Sequence, residues 1–365
     1  MPEKLKDLFF TASFVAQLGD AIQQVLPNFD KAKLTSLVFD ADRETRELKE
    51  RMRHLTHCLH ETLAGEYPEA LEILIEVAPS FSGFNAMIFP DYVERYGLNH
   101  WDLSLPALAF FTTLCSSEYA IRPFLDQDPE RTMQFLYAWA EDENHHVRRL
   151  ASEGCRPRLP WGMSLPAFKE DPSLILPVLE KLKDDPSEYV RKSVANNLND
   201  ISKDHPDVVL DICERWYGHT ANTDWIVKRA CRGLLKAGDR RALSLFGFAD
   251  TTDISVEDLT LDRETLAIGD DLRFTFDLRV GTETACKVRL EYVIGYARPS
   301  GKTSRKVFQL KEASFGPGKY SISKKQSFAD QSTRQHYAGK HRISVVVNGV
   351  EKAGTSFQLR EAAPL

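Results

Sequence analysis

Val147-Arg148-Arg149-Leu150-Ala151-Ser152-Glu153-Gly154 is the stretch that decides the fold. Its opening, one apolar residue followed by two bases, recurs as Val190-Arg191-Lys192 and again as Val227-Lys228-Arg229. Each copy starts a helix-like pattern with apolar residues at later turns, and a period of about forty residues marks stacked helical repeats. On a helix, the positions two, six and nine after each valine fall on one stripe, away from the apolar seam. In the first unit that stripe is Arg149, Glu153 and Arg156, an acid flanked by two bases.

Outward from this unit the spacing stays helical back to the N-terminus and forward to about residue 250. Phe10, Phe14, Leu18, Ile22 and Val25 recur at three or four residues and Pro27 ends the run; Leu55 to Leu63, Ala70 to Val77, Leu105 to Leu114 and Thr132 to Trp139 follow. Asp128-Pro129, Asp171-Pro172 and Asp185-Pro186 read as helix starts, because a carboxylate caps free amides and proline fits the first turn. After about residue 252 the period changes to two. Leu272 to Leu278, Val288 to Val293 and Ile343 to Val347 read as strands, and Asn348-Gly349 as a type I′ hairpin turn. With turns at Arg298-Pro299-Ser300-Gly301 and Gly316-Pro317-Gly318, seven or eight short strands imply an antiparallel sandwich of immunoglobulin type, with Tyr337 as a candidate tyrosine corner. The expected architecture is an all-α solenoid, an α-α superhelix, over residues 1–250, followed by an all-β immunoglobulin-like sandwich over residues 251–365.

A chain of 365 residues is long enough for two such cores. No run approaches eighteen apolar residues and the start, Met1-Pro2-Glu3-Lys4-Leu5-Lys6, lacks a signal-peptide core, so a soluble cytoplasmic protein with no membrane role is expected. The six cysteines include no close pair, which argues against a zinc ribbon or a disulfide scaffold. His54, His57 and His60 have helical spacing, but Ala64 stands where the second histidine of a metalloprotease motif belongs, so no metal is expected. The net charge of −6 averages opposite regions. Residues 1–144 hold 12 Lys and Arg against 24 Asp and Glu, whereas residues 298–342 hold 11 against 2. A basic segment that dense points to a polyanionic partner.

The chain contains no nucleophile elbow, phosphate-binding loop or dinucleotide fingerprint, so carboxylates are the available catalytic groups. Glu153 lies between Arg149 and Arg156, Asp200 ends the helix of the second unit, and Glu118 follows Ser116-Ser117. Acids in a basic, phosphate-facing wall call for a reason; the plain one is pairing at helical spacing. Arg156-Pro157-Arg158-Leu159-Pro160-Trp161 is a proline-braced loop whose arginines suit phosphates and whose indole either stacks on a sugar or base or fills the gap between repeats. The Val-basic-basic pairs, Arg148 with Arg149, Arg191 with Lys192 and Lys228 with Arg229, equally fit a phosphate-binding wall or an ordinary solvated repeat face. Lys302, Arg305, Lys306, Lys324 and Lys325 make a one-sign patch in the sandwich.

Glu153 within Arg-Arg-Leu-Ala-Ser-Glu-Gly, the loop to Trp161, and Val190 to Asp200 together resemble the bacterial DNA alkylation repair glycosylases built on HEAT-like repeats, in the AlkC branch with a C-terminal immunoglobulin-like domain. The resemblance covers nearly the whole chain and is most specific over residues 139–236. It implies a monofunctional DNA N-glycosylase that removes cationic bases such as 3-methyladenine and 3-methylcytosine without conventional base flipping. It also implies no cofactor, a monomer, double-stranded DNA with alkylated bases as partner, and a nucleoid-associated location when bound. It places catalytic acids at Glu118, Glu153 and Asp200, with Trp161 beside the lesion and Arg149 and Arg156 near the backbone. Arg148, Arg158, Arg191, Lys192, Lys228, Arg229, Lys302, Arg305 and Lys306 complete the expected DNA-binding set. The competing expectation is a non-catalytic repeat scaffold for nucleic acid or protein, in which the three acids are pairing residues only.

Overall fold

The computed structural model describes residues 5–63, 65–248, 250–331 and 334–361; the first four residues, part of the stretch read for a signal peptide, lie outside them. The chain divides into two compact units, Met1–Ala230 and Cys231–Leu365. Strand structure begins at Ile254, while the short helices Arg232–Ala237 and Arg240–Leu245 fall in the second unit.

In the first unit the repeats are helix pairs. Pro129–Trp139 precedes His145–Gly154, Leu176–Leu182 precedes Glu188–Ile201, and Pro206–Trp216 precedes Ala221–Ala230. The second members pack side by side, the Glu188 helix lying between the other two. Val147, Val190 and Val227 are buried at the same place in each, which sets the common pitch, and every such valine contributes about 1.5–3 kcal/mol of burial. The hydrophobic run from Phe10 folds as the helix Ala12–Val25, with Thr11 accepting a hydrogen bond from the Phe14 amide. Phe10 itself is outside the helix, buried and at φ 53°, so its apolar spacing reflects core packing rather than helical backbone.

The three Asp-Pro signals divide. Asp128 caps its helix, accepting from the Arg131 amide at 3.0 Å. Asp171 and Asp185 instead accept from the amides of Ser173 and Ser187, two residues on, at 2.9 and 2.8 Å. Those are Asx turns that lead into helices starting at Leu176 and Glu188.

The second unit is a two-sheet sandwich of β1 (Ile254–Leu261), β2 (Thr265–Ala267), β3 (Asp271–Val280), β4 (Cys286–Ala297), β5 (Thr303–Phe315), β6 (Gly318–Ser327), β7 (Gly339–Val347) and β8 (Val350–Arg360). One sheet has the order β1-β3-β6 and the other β2-β8-β7-β4-β5. All pairings are antiparallel except β2 with β8. Alternating residues, among them Phe274, Phe276, Leu278, Leu290, Tyr292, Ile343, Val345 and Phe357, fill the space between the sheets. The turn at Gly316 joins β5 to β6 across the two sheets, and both are edge strands. Tyr337 is not a tyrosine corner: its hydroxyl donates to the Gln335 side chain at 3.4 Å, where a corner needs an upstream backbone acceptor.

Asn348 and Gly349 have φ of 45° and 78° and close the β7–β8 hairpin as a type I′ turn. The bend also meets Gly238, the left-handed residue that ends the Arg232–Ala237 helix; a Cβ on Gly349 would stand 2.3 Å from the Gly238 Cα. Gly349→Ala combines that clash with a left-handed backbone, and we expect it to lower the stability of the second unit by about 2 kcal/mol or more, measured by thermal unfolding.

Candidate active site

The stripe Arg149, Glu153, Arg156 lies where the His145 and Glu188 helices pack together, and there it becomes part of a longer chain of alternating charges. Glu118 Oε2 receives Arg149 Nη1 in a close ion pair and the Ser116 hydroxyl at 2.7 Å, and Arg149 also donates to Ser116 Oγ at 2.9 Å. Arg149 Nη2 is 3.5 Å from Glu153 Oε1, and Arg156 Nη1 donates to that same oxygen at 2.6 Å. Arg156 then donates through Nε to Asp200 Oδ2 at 2.9 Å, with Nη2 at 2.8 Å, and Lys203 reaches Asp200 Oδ1 at 2.9 Å. The order is Glu118, Arg149, Glu153, Arg156, Asp200, Lys203. Burial acts against both guanidinium charges, yet the flanking carboxylates outweigh it and hold Arg149 and Arg156 above the ordinary arginine value.

The three acids are not equivalent. Asp200, 3 % exposed, has both oxygens occupied by cations. Glu118 and Glu153 each gather their partners on one oxygen, and no described residue donates to Glu118 Oε1 or Glu153 Oε2. These two oxygens are therefore free to meet a positive centre or a water.

Two aromatic residues that the sequence reading missed flank the acids. The Arg149 guanidinium lies 4.9 Å from the ring of Tyr189, at the start of its helix, and Tyr189 remains partly exposed. Burial, opposed by Arg149, raises the Tyr189 hydroxyl; burial and the Glu118 charge raise that of Tyr119. Helical periodicity could not single them out, since both stand one residue from a recognised feature, Glu118 or Val190.

Trp161 decides between its two sequence readings. It is 85 % exposed and so fills no gap between repeats. Its φ is 63°, a left-handed conformation uncommon for a bulky side chain. The loop is braced by hydrogen bonds from the Gly162 amide to the Leu159 carbonyl, from the Leu165 amide to the Pro157 carbonyl, and from Lys49 Nζ to the Trp161 carbonyl at 3.3 Å. Arg122 is fully buried beneath, donating from Nε to the Met163 carbonyl and from Nη1 to the Gly154 carbonyl at 2.8 Å, and burial pushes its guanidinium down to about 10.

The remaining expected DNA-binding residues differ in availability. Arg148 forks onto Asp185 and donates to the Asp142 and Glu143 carbonyls, and Arg191 folds back in the same way onto the Asp185 and Pro186 carbonyls. The first base of the first two pairs thus ties its helix to the turn before it. Arg158 pairs with Asp204 through both terminal nitrogens, and Lys192 with Glu188 at 2.7 Å in an exposed pair. Lys228 and Arg229 lie in the last turn of the Ala221 helix, where Arg229 and Arg191 approach the ring of Trp225 at 5.5 and 6.0 Å. In the sandwich, Lys302 precedes β5 while Arg305 and Lys306 stand exposed on it; none of the three makes an ion pair among the described residues. Lys325, by contrast, pairs with Asp271 and Lys319 with Asp277.

Among the described residues no group of histidines, cysteines and carboxylates could hold a metal. His54 bonds the Leu37 carbonyl, His57 approaches the Tyr96 hydroxyl, and His60 stacks on Tyr96 at 3.8 Å. No helix among the described residues is long and apolar enough to cross a membrane.

Comparison with known proteins adds two family matches: DNA alkylation repair enzyme over residues 112–234, and the C-terminal Ig-like domain of the uncharacterised protein YhaZ over residues 255–361. The chain is 46 % identical to the uncharacterized protein YhaZ of Bacillus subtilis (strain 168), covering 97 % of this chain and 99 % of that one. It also matches the structure of the Pseudomonas fluorescens alkylpurine DNA glycosylase AlkC bound to DNA containing an abasic site analog. That match has 38 % identity and a TM-score of 0.93, over 98 % of this chain and 100 % of the other.

Proposed function

Because this chain belongs to the DNA alkylation repair enzyme family, with YhaZ and AlkC as relatives along its whole length, we propose that it is a monofunctional DNA N-glycosylase acting on cationic alkylated bases in duplex DNA. The observation that carries this reading is the pair of carboxylate oxygens to which no described residue donates, Glu118 Oε1 and Glu153 Oε2, each on an acid whose other oxygen is held by Arg149 or Arg156. In a passive nucleic-acid scaffold, negative charge at that place only weakens phosphate binding.

A base alkylated at N3 of adenine or cytosine already carries positive charge, so it departs with little need of protonation. The barrier then lies in the positive charge that gathers on the deoxyribose as the glycosidic bond lengthens. Glu153, with one oxygen fixed by Arg156 and the other free, stabilises that charge and orients or deprotonates the attacking water. Glu118, held by Arg149 and Ser116, supplies a second negative group. Asp200, with both oxygens occupied, acts through Arg156, which it holds against Glu153; it is a positioning residue. Trp161 packs on the exposed lesion, and 3-methyladenine and 3-methylcytosine share the charge that makes them labile, so selectivity needs no deep base-reading pocket. Lys302, Arg305 and Lys306 bind phosphates of the duplex.

Purified protein incubated with methylated duplex DNA is expected to release free 3-methyladenine and 3-methylcytosine, leaving abasic sites without strand scission and with chelator present. Binding without release would overturn the glycosylase reading and favour the scaffold. Replacing Arg305 and Lys306 by alanine is expected to weaken binding to all duplex sequences and to flatten the plot of log affinity against log salt by about 1–2 units.

A further inference from the structure

We infer that Arg122 is a positioning residue for Trp161: its buried side chain sets the height and direction at which the exposed indole is presented. The inference rests on the glycosylase reading and extends it to a residue that touches neither acid nor lesion.

The geometry is specific. Arg122 begins the helix Arg122–Gln127, and its side chain is wholly buried, in contact with the segment that leaves the His145 helix and returns at Leu165. One guanidinium nitrogen takes the carbonyl of Gly154, the last residue of the helix that carries Glu153; another takes the carbonyl of Met163, two residues beyond Trp161. A single side chain therefore ties the acid-bearing helix to the far limb of the tryptophan loop. Gly162 rests against its stem: a Cβ there would stand 3.3 Å from Arg122 Cδ and 3.0 Å from Leu159 Cδ2.

Stability alone does not account for this arrangement. Among the described residues no carboxylate pairs with the buried cation and Nη2 has no partner, so an apolar residue of similar length would fill the space without carrying a buried charge. What an apolar residue cannot do is hold two backbone carbonyls at a fixed separation. The left-handed backbone at Trp161 makes that restraint necessary, because a loop released from it relaxes toward ordinary φ and takes the indole with it.

The test compares Arg122→Met, Arg122→Lys, Trp161→Ala and the Arg122→Met/Trp161→Ala double variant with the wild type. Arg122→Met is expected to retain the wild-type melting temperature and KM for methylated DNA while kcat falls about 10–100-fold, and Arg122→Lys to restore part of the loss. The double variant is expected to be no slower than Trp161→Ala, since Arg122 acts through the indole; multiplied losses would overturn the proposal. Acrylamide quenching reads the loop directly. Trp101, Trp139 and Trp216 are buried and Trp225 partly so, which makes Trp161 the most accessible indole, and subtracting the Trp161→Phe signal removes the contribution of Trp225. Quenching and anisotropy unchanged by Arg122→Met would also overturn the proposal. If Arg122→Met does not fold, Arg122→Lys carries the same two comparisons. If the wild type releases no base, the glycosylase reading fails while the quenching comparison still decides the role of Arg122.

Discussion

Glu153→Gln is expected to slow base release by about 10²–10³-fold while leaving the affinity for DNA unchanged or higher. The substitution keeps shape and length, and the amide oxygen can still accept from Arg156. It removes the negative charge and the basic oxygen at Oε2, where no described residue donates. An interaction made only as the sugar becomes cationic is lost from kcat and not from KM. Affinity has reason to rise, because the wall loses an acid that repels phosphate. Single-turnover release of 3-methyladenine measures the first quantity and titration with an uncleavable duplex the second. A rate within about threefold of wild type would remove Glu153 from the chemistry and leave it as a link in the ion-pair chain. Glu118→Gln is expected to cost less, because Glu118 is proposed as the second negative group and the substitution leaves the Glu153 charge in place.

Arg156→Met is expected to destabilise the first unit by about 3–5 kcal/mol, seen as a lowered melting temperature and denaturant midpoint. Among the described residues Arg156 alone bridges Glu153 and Asp200, and both acids are buried. Methionine fills much of the volume, so the loss comes from two carboxylates stranded away from water, with only Lys203 left at Asp200 and the longer Arg149 contact left at Glu153. Adding Asp200→Asn should recover part of the stability, since it removes one of the stranded charges; the double-mutant cycle isolates that coupling. Activity is not expected to recover with it, because the pair that fixes Glu153 is gone. An Arg156→Met protein as stable as wild type would show that water reaches both acids.

Much of this was legible before any coordinates. The forty-residue recurrence of Val147, Val190 and Val227 located the repeats because the buried valines share one packing position. The change of period near residue 252 located the sandwich, since alternation follows from strand geometry itself. The site was legible in part. Helical spacing placed Glu153 between Arg149 and Arg156, but that Glu118 and Asp200 join the same chain of charges depends on how separate helices pack. Charge alone marks the first base of each pair as a phosphate ligand, yet in two of the three, Arg148 and Arg191, it turns back onto carbonyls five and six residues earlier. Arg122 has no sequence signal, since an isolated arginine before a proline forms no pattern; its proposed role depends on a loop about forty residues later in the chain.

The basic residues on and beside β5 and on β6 also bear on self-association. Both strands are sheet edges, where unpaired backbone groups offer a template to any extended chain. Lys302, Arg305, Lys306, Lys324 and Lys325 are expected to disfavour a second copy adding its own strand there, so the charges proposed to attract a polyanion would also oppose aggregation. Neutralising them, by mutation or by lysine acetylation, would therefore produce edge-to-edge association at high concentration as well as weaker DNA binding. A gel shift that fades in such a variant has two physical origins, and light scattering of the free protein separates them.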